Sequence, residues 1–176
     1  LDCTDNLEIR YLLNDYCKKH QVPWIYAGGI GVLGAISFFG NNKDDPCFAC
    51  IFPQASSNQT CETVGVINSL TTLVGSLQTT LCLKYLVSGA YETTLLRLNI
   101  WEQHFEKITV SKRKNCDACN YRYMHLTNKQ EQKIIKYCSS GHYQFYGKQH
   151  NFAEVKSKLE KLGEVKEFTG CLRFKN

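Results

Sequence analysis

The sequence predicts an α/β protein with a small α+β appendage at its C-terminal end. Two observations carry this expectation. From Leu7 to Ser111, stretches with helical periodicity alternate with short strand-like runs. From Tyr121 onward the composition turns to lysine and tyrosine, around one capped helical segment flanked by extended ones. A chain of 176 residues, 43% apolar and 21% charged, is long enough to bury a substantial core.

The elements follow in order. Asp5 precedes an apolar pattern at Leu7, Tyr11, Leu12 and Tyr16, and Glu8 lies three positions later, so a helix capped by Asp5 and ending near His20 is expected. Val22 to Ala27 and Ala35 to Phe39 read as strands. Asn41 to Asp45 and Gln54 to Gln59 have loop composition. Val64 to Val87 carries one charge, Lys84, which invites a membrane-span reading, but Asn68, Ser69, Thr71, Thr72, Ser76, Gln78, Thr79 and Thr80 dilute it. Val66, Leu70, Leu73, Val74, Leu77 and Leu81 recur at helical spacing, so a largely buried helix ending near Gly89 explains the segment. Thr93 to Trp101 and Glu106 to Ser111 look extended. In the appendage, Asn151 caps a helix stopped by Gly163, between strands over Tyr143 to Tyr146 and Val165 to Phe174.

The net charge of +5 is modest and concentrated after residue 106, which argues against a nucleic-acid binder. Neither a membrane nor a nucleic acid is an expected partner. There are ten cysteines and no segment resembling a signal peptide, and a reducing, cytoplasmic setting is expected.

Cys47-Phe48-Ala49-Cys50 and Cys116-Asp117-Ala118-Cys119 each put two thiols on a tight turn. Two such turns brought together make the tetrahedral four-sulfur site that structural zinc prefers. All four positions are then filled by sulfur, which leaves no place for an activated water. Two unrelated thiol pairs are the plainer alternative. Cys3, Cys17, Cys82, Cys138 and Cys171 read as small buried hydrophobes.

Gly29-Ile30-Gly31-Val32-Leu33-Gly34 matches the dinucleotide fingerprint G-x-G-x-x-G, but a strand-like run follows where a helix is needed. It reads as a glycine-rich strand connection. Cys61 stands near the start of the long helix, where a thiol has a lowered pKa; nucleophile and inert side chain both remain open. Leu1-Asp2-Cys3 reads as the end of a buried strand, so further sequence upstream is expected. Asp2 or Asp5 could coordinate magnesium there, with helix capping the rival role for Asp5 and a solvated surface charge the rival role for Arg10.

The order of these motifs resembles the ThiF/MoeB/HesA family, relatives of ubiquitin-activating enzymes. The matching stretches are Leu1 to Asn6 with Arg10 and Asn14, Pro46 to Cys50, Thr60 to Val66, Ser76-Leu77-Gln78, and Cys116 to Cys119. The likeness covers residues 1 to about 120, and residues 121–176 are similar to a small basic extension on some members. It implies the C-terminal part of a Rossmann-like adenylation domain with a mixed sheet. The implied activity is ATP-dependent adenylation of the C-terminal glycine of a ubiquitin-like sulfur carrier, ThiS or MoaD, in thiamine or molybdopterin synthesis.

The resemblance further implies Asp5 as the residue meeting Mg2+ and the ATP phosphates, with Asn6 and Arg10 beside it. Cys61 matches the position that links covalently to the carrier in ThiF-like members and is dispensable in MoeB-like ones. Cys47, Cys50, Cys116 and Cys119 match the zinc ligands, and a homodimer is implied. The family's glycine-rich nucleotide loop, ribose-binding acid and phosphate-binding Arg and Lys find no match, so this portion by itself is expected to be inactive. A zinc-stabilised binding module without catalysis is the alternative.

Overall fold

The computed structural model describes residues 1–53, 64–127, 133–136, 143–146, 151–169 and 171–175. Cys61, Cys138 and the polar loop expected over Gln54 to Gln59 lie outside the described residues. The chain forms two compact units, the first comprising Leu1–Lys129 with Lys136–His142 and the second Gln130–Ile135 with Tyr143–Asn176.

In the first unit, α1 (Leu7–His20) begins one residue later than its capping pattern suggests. Asn6, extended at φ −132°, accepts the Ile9 N–H on its side-chain oxygen at 2.9 Å and is the N-cap in place of Asp5. Both residue types cap well; the one whose oxygen reaches the amide three positions on takes the role, and Glu8 then falls at the second helical position. Lys18, Lys19 and His20 lie in the last turn, where cations suit the helix dipole, and Gln21 closes it in the left-handed region at φ 54°.

Four strands, β1 (Trp24–Ile30), β2 (Leu33–Phe39), β3 (Thr94–Asn99) and β4 (His104–Thr109), form a sheet in that order, each neighbouring pair antiparallel. Strands joined as closely as β1 and β2 have no room for a parallel crossover. The isolated bridge between Gly31 and Val66 is parallel. The glycine-rich segment is the tip of the β1–β2 hairpin, with no helix after it. Gly31 adopts φ 59°, donates to the Gly65 carbonyl at 2.9 Å and accepts the Ile67 N–H at 3.0 Å, which pins the approach to the long helix.

After the single turn α2 (Phe48–Ile51) comes the long helix α3 (Asn68–Ser88), stopped by Gly89 at φ 67°. Its buried stripe, Leu70, Val74 and Gln78, lies on the sheet with Ile25, Ala27, Ile36, Phe38 and Leu98. Val66, expected within the helix, precedes it and is exposed. Gly34 makes the close approach possible: a Cβ there would stand 2.7 Å from Leu98 and 2.9 Å from Leu70. The opposite face of β1 and β2 packs through Trp24, Tyr26 and Phe39 against Cys17 of α1 and Phe48 of α2. Helical layers on both faces explain why Trp24 to Ala27 is buried throughout and carries no alternation.

Asp2 is not in a strand, yet its N–H donates to the Ile25 carbonyl at 2.9 Å, so the chain start lies along β1. Gln78 donates from one side-chain nitrogen to the carbonyls of Asp2 at 2.9 Å and Ile25 at 3.0 Å. Cys3, expected inside, is exposed because its neighbour Asp2 points inward; Cys171 is exposed too, at the start of a strand open on alternate residues. Cys17 is buried and Cys82 partly so.

The second unit contains α5 (Phe152–Leu159), whose cap Asn151 accepts the Ala153 N–H at 3.0 Å. The run expected as one strand over Val165 to Phe174 is an antiparallel pair, β7 (Glu164–Phe168) and β8 (Cys171–Lys175), with Thr169 in a turn after β7. In chain order before these come α4 (Met124–Thr127), in the first unit, and β5 (Lys133–Lys136) paired with β6 (Tyr143–Tyr146). No helix among the described residues is long and apolar enough to cross a membrane.

Replacing Gln78 with leucine removes a buried double donor and strands the Asp2 carbonyl. A stability loss of about 1–3 kcal/mol is expected, measured as a lower urea midpoint at unchanged slope. An unaltered midpoint would show that the carbonyl finds another partner.

Candidate metal centre and the Asp2–Asn6 turn

Four sulfurs from two distant stretches meet on one side of the first unit. The Sγ atoms of Cys47, Cys50, Cys116 and Cys119 all lie within 4.8 Å of one another and all four residues are buried. Cys47 is 3.8 Å from Cys50, 3.5 Å from Cys116 and 3.5 Å from Cys119, and Cys50 is 3.6 Å from Cys119. A zinc tetrahedron with bonds of about 2.3 Å has sulfur–sulfur edges of about 3.8 Å, so these spacings are those of a four-sulfur cage and too long for disulfides.

Each knuckle has a local cause. Cys47 is the N-cap of α2, and the Cys50 N–H returns to the Cys47 carbonyl at 2.9 Å. In the second, Ala118–Asn120 is a 3-10 turn, and the Asn120 side chain donates to the carbonyls of Lys114 at 2.9 Å and Cys116 at 2.8 Å. The Arg113 N–H points at the Cys50 sulfur at 3.4 Å, a donor placed for a thiolate.

The four close sulfurs perturb one another strongly. Hydrogen bonding among the sulfurs, chiefly with Cys116, drives Cys47 and Cys119 far above the ordinary thiol range and Cys50 far below it. Cys116 is lowered to about 7, chiefly by its bond with Cys119. Four thiolates at this spacing repel each other, and a divalent cation of zinc's softness resolves that repulsion. The donor set fits zinc.

Two residues that sequence reasoning did not assign to a site tie α1 to the first knuckle and to α4, the helix that follows the second. Asn14, 1% exposed, accepts the Phe48 N–H at 2.9 Å. Asp15, 3% exposed, accepts the His125 N–H at 2.8 Å, and burial raises its carboxyl above the usual range against the lowering effect of that bond. The available signal was a polar residue, Asn14, three positions after Tyr11 on the apolar stripe of a helix.

The nucleotide-side candidates sit elsewhere in the same unit. Asp5 is exposed, while Asn6 caps α1. The Asp2 carboxylate is fully buried and accepts from Arg10 Nε at 2.9 Å and from the Thr4 backbone and hydroxyl at 2.9 and 2.7 Å. Arg10 also donates to the Thr4 carbonyl at 2.6 Å and lies 5.1 Å over the Tyr26 ring. Its guanidinium is therefore engaged in shaping the turn that carries Asp5. Among the described residues no glycine-rich turn leads into a helix, and no triphosphate cradle is formed.

A family model described as the ThiF family matches residues 1–120. The Adenylyltransferase and sulfurtransferase MOCS3 of Drosophila willistoni is 34% identical over 129 residues, covering 68% of this chain and 28% of its own. That of Xenopus laevis is 33% identical over 126 residues, with the same coverage. The chain thus spans little more than a quarter of the length of these relatives. Crystal structures of E. coli MccB share the fold: one with succinimide has a TM-score of 0.53 at 12% identity, covering 68% of this chain and 38% of MccB. Another, MccB alone, has a TM-score of 0.52 at 13% identity, with 64% and 36% covered. With its first 120 residues matched throughout by that family's model, this chain belongs to the ThiF family.

Proposed function

We propose that this chain is part of an adenylyltransferase that activates the C-terminal glycine of a ubiquitin-like sulfur carrier, ThiS or MoaD in type, for thiamine or molybdopterin synthesis. The observation that supports this reading is the family match over residues 1–120, which takes in both the four-sulfur cluster and the turn bearing Asp5. The relatives named adenylyltransferase and sulfurtransferase support it further.

In this reading ATP with Mg2+ supplies the adenylyl group, and Asp5, exposed beside the buried Asp2–Arg10 pair, is the carboxylate for the magnesium. Cys47, Cys50, Cys116 and Cys119 hold a structural zinc that closes the fold and takes no part in the chemistry. Cys61 is the thiol that links to the carrier. Residues 1–120 form the C-terminal part of the adenylation domain and residues 121–176 a basic α+β extension. The enzyme acts as a cytoplasmic homodimer. A second reading is a zinc-stabilised module that docks a carrier without chemistry, and the buried four-sulfur cluster is its support.

Elemental analysis is expected to find one zinc per four-cysteine site. Its removal by a chelator should lower the midpoint of thermal unfolding of the first unit, because a metal bound by the folded chain alone stabilises it. A metal-free chain of equal thermal stability would falsify the zinc assignment.

Pyrophosphate exchange by the whole gene product, tested with ThiS-like and MoaD-like carriers in turn, separates the two functional readings. Exchange dependent on one carrier supports the enzyme; carrier binding without exchange supports the docking module. In an active protein, Cys61→Ser should abolish any thiol-linked carrier adduct and leave exchange largely intact. Loss of exchange in that variant would make Cys61 structural.

A further inference from the structure

The reading of the four thiols as a zinc site leaves open what brings two cysteine turns, far apart in sequence, to the same place. Metal alone could do it, closing two otherwise independent loops as it binds. The contacts around α1 point elsewhere.

Three α1 residues at helical offsets i, i+3 and i+4 share one face, and each reaches a segment next to a cysteine turn. Tyr11 donates its hydroxyl to the Phe52 carbonyl at 2.6 Å, two residues beyond Cys50. The same ring stacks on His125, centroids 5.0 Å apart and planes 13° apart, and meets Phe48 edge-on at 5.3 Å. Asn14 holds the amide of Phe48, which lies inside the first cysteine pair. Asp15 holds the amide of His125 in α4, the short helix that begins five residues after Cys119 and closes the segment carrying the second pair. Both acceptors are buried, so each amide they satisfy is costly to release. Phe48 itself, 0% exposed, is packed among Trp24, Tyr26, Phe39 and Phe52 by ring contacts that need no metal.

We infer that α1 is the positioning element of the metal site: Tyr11, Asn14 and Asp15 hold both cysteine turns in register, so the metal enters a cage already assembled. The inference rests on the zinc reading for its ligand and on these protein contacts for its substance. Groups that orient metal ligands from behind typically alter metal affinity 10- to 100-fold when removed. Here they act through the backbone of the ligand-bearing turns.

The test uses the full chain, with and without chelator. In the metal-free chain, the Phe48 and His125 amides are expected to stay protected from hydrogen exchange. Asn14→Leu should expose the first and Asp15→Leu the second, with the β1–β3 ladder still protected. Zinc affinity, measured by competition with a chromophoric chelator, should fall about tenfold or more in both variants. Asp15→Asn, which keeps an acceptor for the His125 N–H, should match the parent. Cobalt(II) in the site should keep its tetrahedral-thiolate absorption throughout, because no ligand is changed.

The inference is overturned if both amides exchange freely without metal, or if Asp15→Leu and Asp15→Asn bind zinc equally well. Should Asn14→Leu fail to fold, the Asp15 pair and Tyr11→Phe decide, the latter losing only the bond to Phe52. A parent chain that takes up no zinc removes the zinc reading alone; amide protection in the metal-free chain still judges the role of α1.

Discussion

Phe48 occupies the one position between two sulfurs that is wholly withdrawn from water, and the first unit is organised around that burial. Its ring sits among Tyr11, Trp24, Tyr26, Phe39 and Phe52, its amide on Asn14, and its chain neighbour Cys47 faces the second cysteine pair. A knuckle anchored by a core aromatic cannot drift with the loops beside it. The metal centre is in this sense an extension of the hydrophobic core, since the same residue serves the packing of β1 and β2 and the placing of the thiols.

A second constraint works on the other face of the sheet. Gly34 lets α3 approach until Leu70 and Val74 touch the β1–β2 hairpin, and Gln78, one turn on, ties Asp2 to β1. Asp2 in turn is the buried anchor of Arg10, which bridges to Thr4 and covers Tyr26. The turn carrying Asp5 is thereby held between the two helical layers. Its placement derives from packing and buried hydrogen bonds, and exposed ion pairs such as Arg97 with Glu106 contribute little beside them.

The differences from expectation share a cause. Asn6 displaces Asp5 as the cap because capping depends on which oxygen reaches the third amide, a choice that composition leaves even. Cys3 and Cys171 are exposed because a cysteine carries no pattern of its own and follows the alternation of its neighbours. Arg10 read as a solvated surface charge or, by resemblance, as a neighbour of Asp5 in a nucleotide site; its buried acceptor lies eight residues back, a distance at which sequence spacing says nothing about contact.

What the sequence by itself determined is the set of local structures and the identity of the sulfur donors. Period and punctuation located α1, α3 and the four strands of the main sheet, the run after Gly34 ruled out a phosphate-binding helix, and two C-x-x-C turns announced a four-sulfur site. These are readable because they depend on residues within a few positions of one another. Only the tertiary structure decided that the two knuckles meet, that Asn14 and Asp15 hold them from α1, and that Asp2 and Gln78 anchor the turn bearing Asp5. Those contacts join residues separated by 34, 110 and 76 positions. Their geometry arises from the packing of whole elements, which no local pattern encodes.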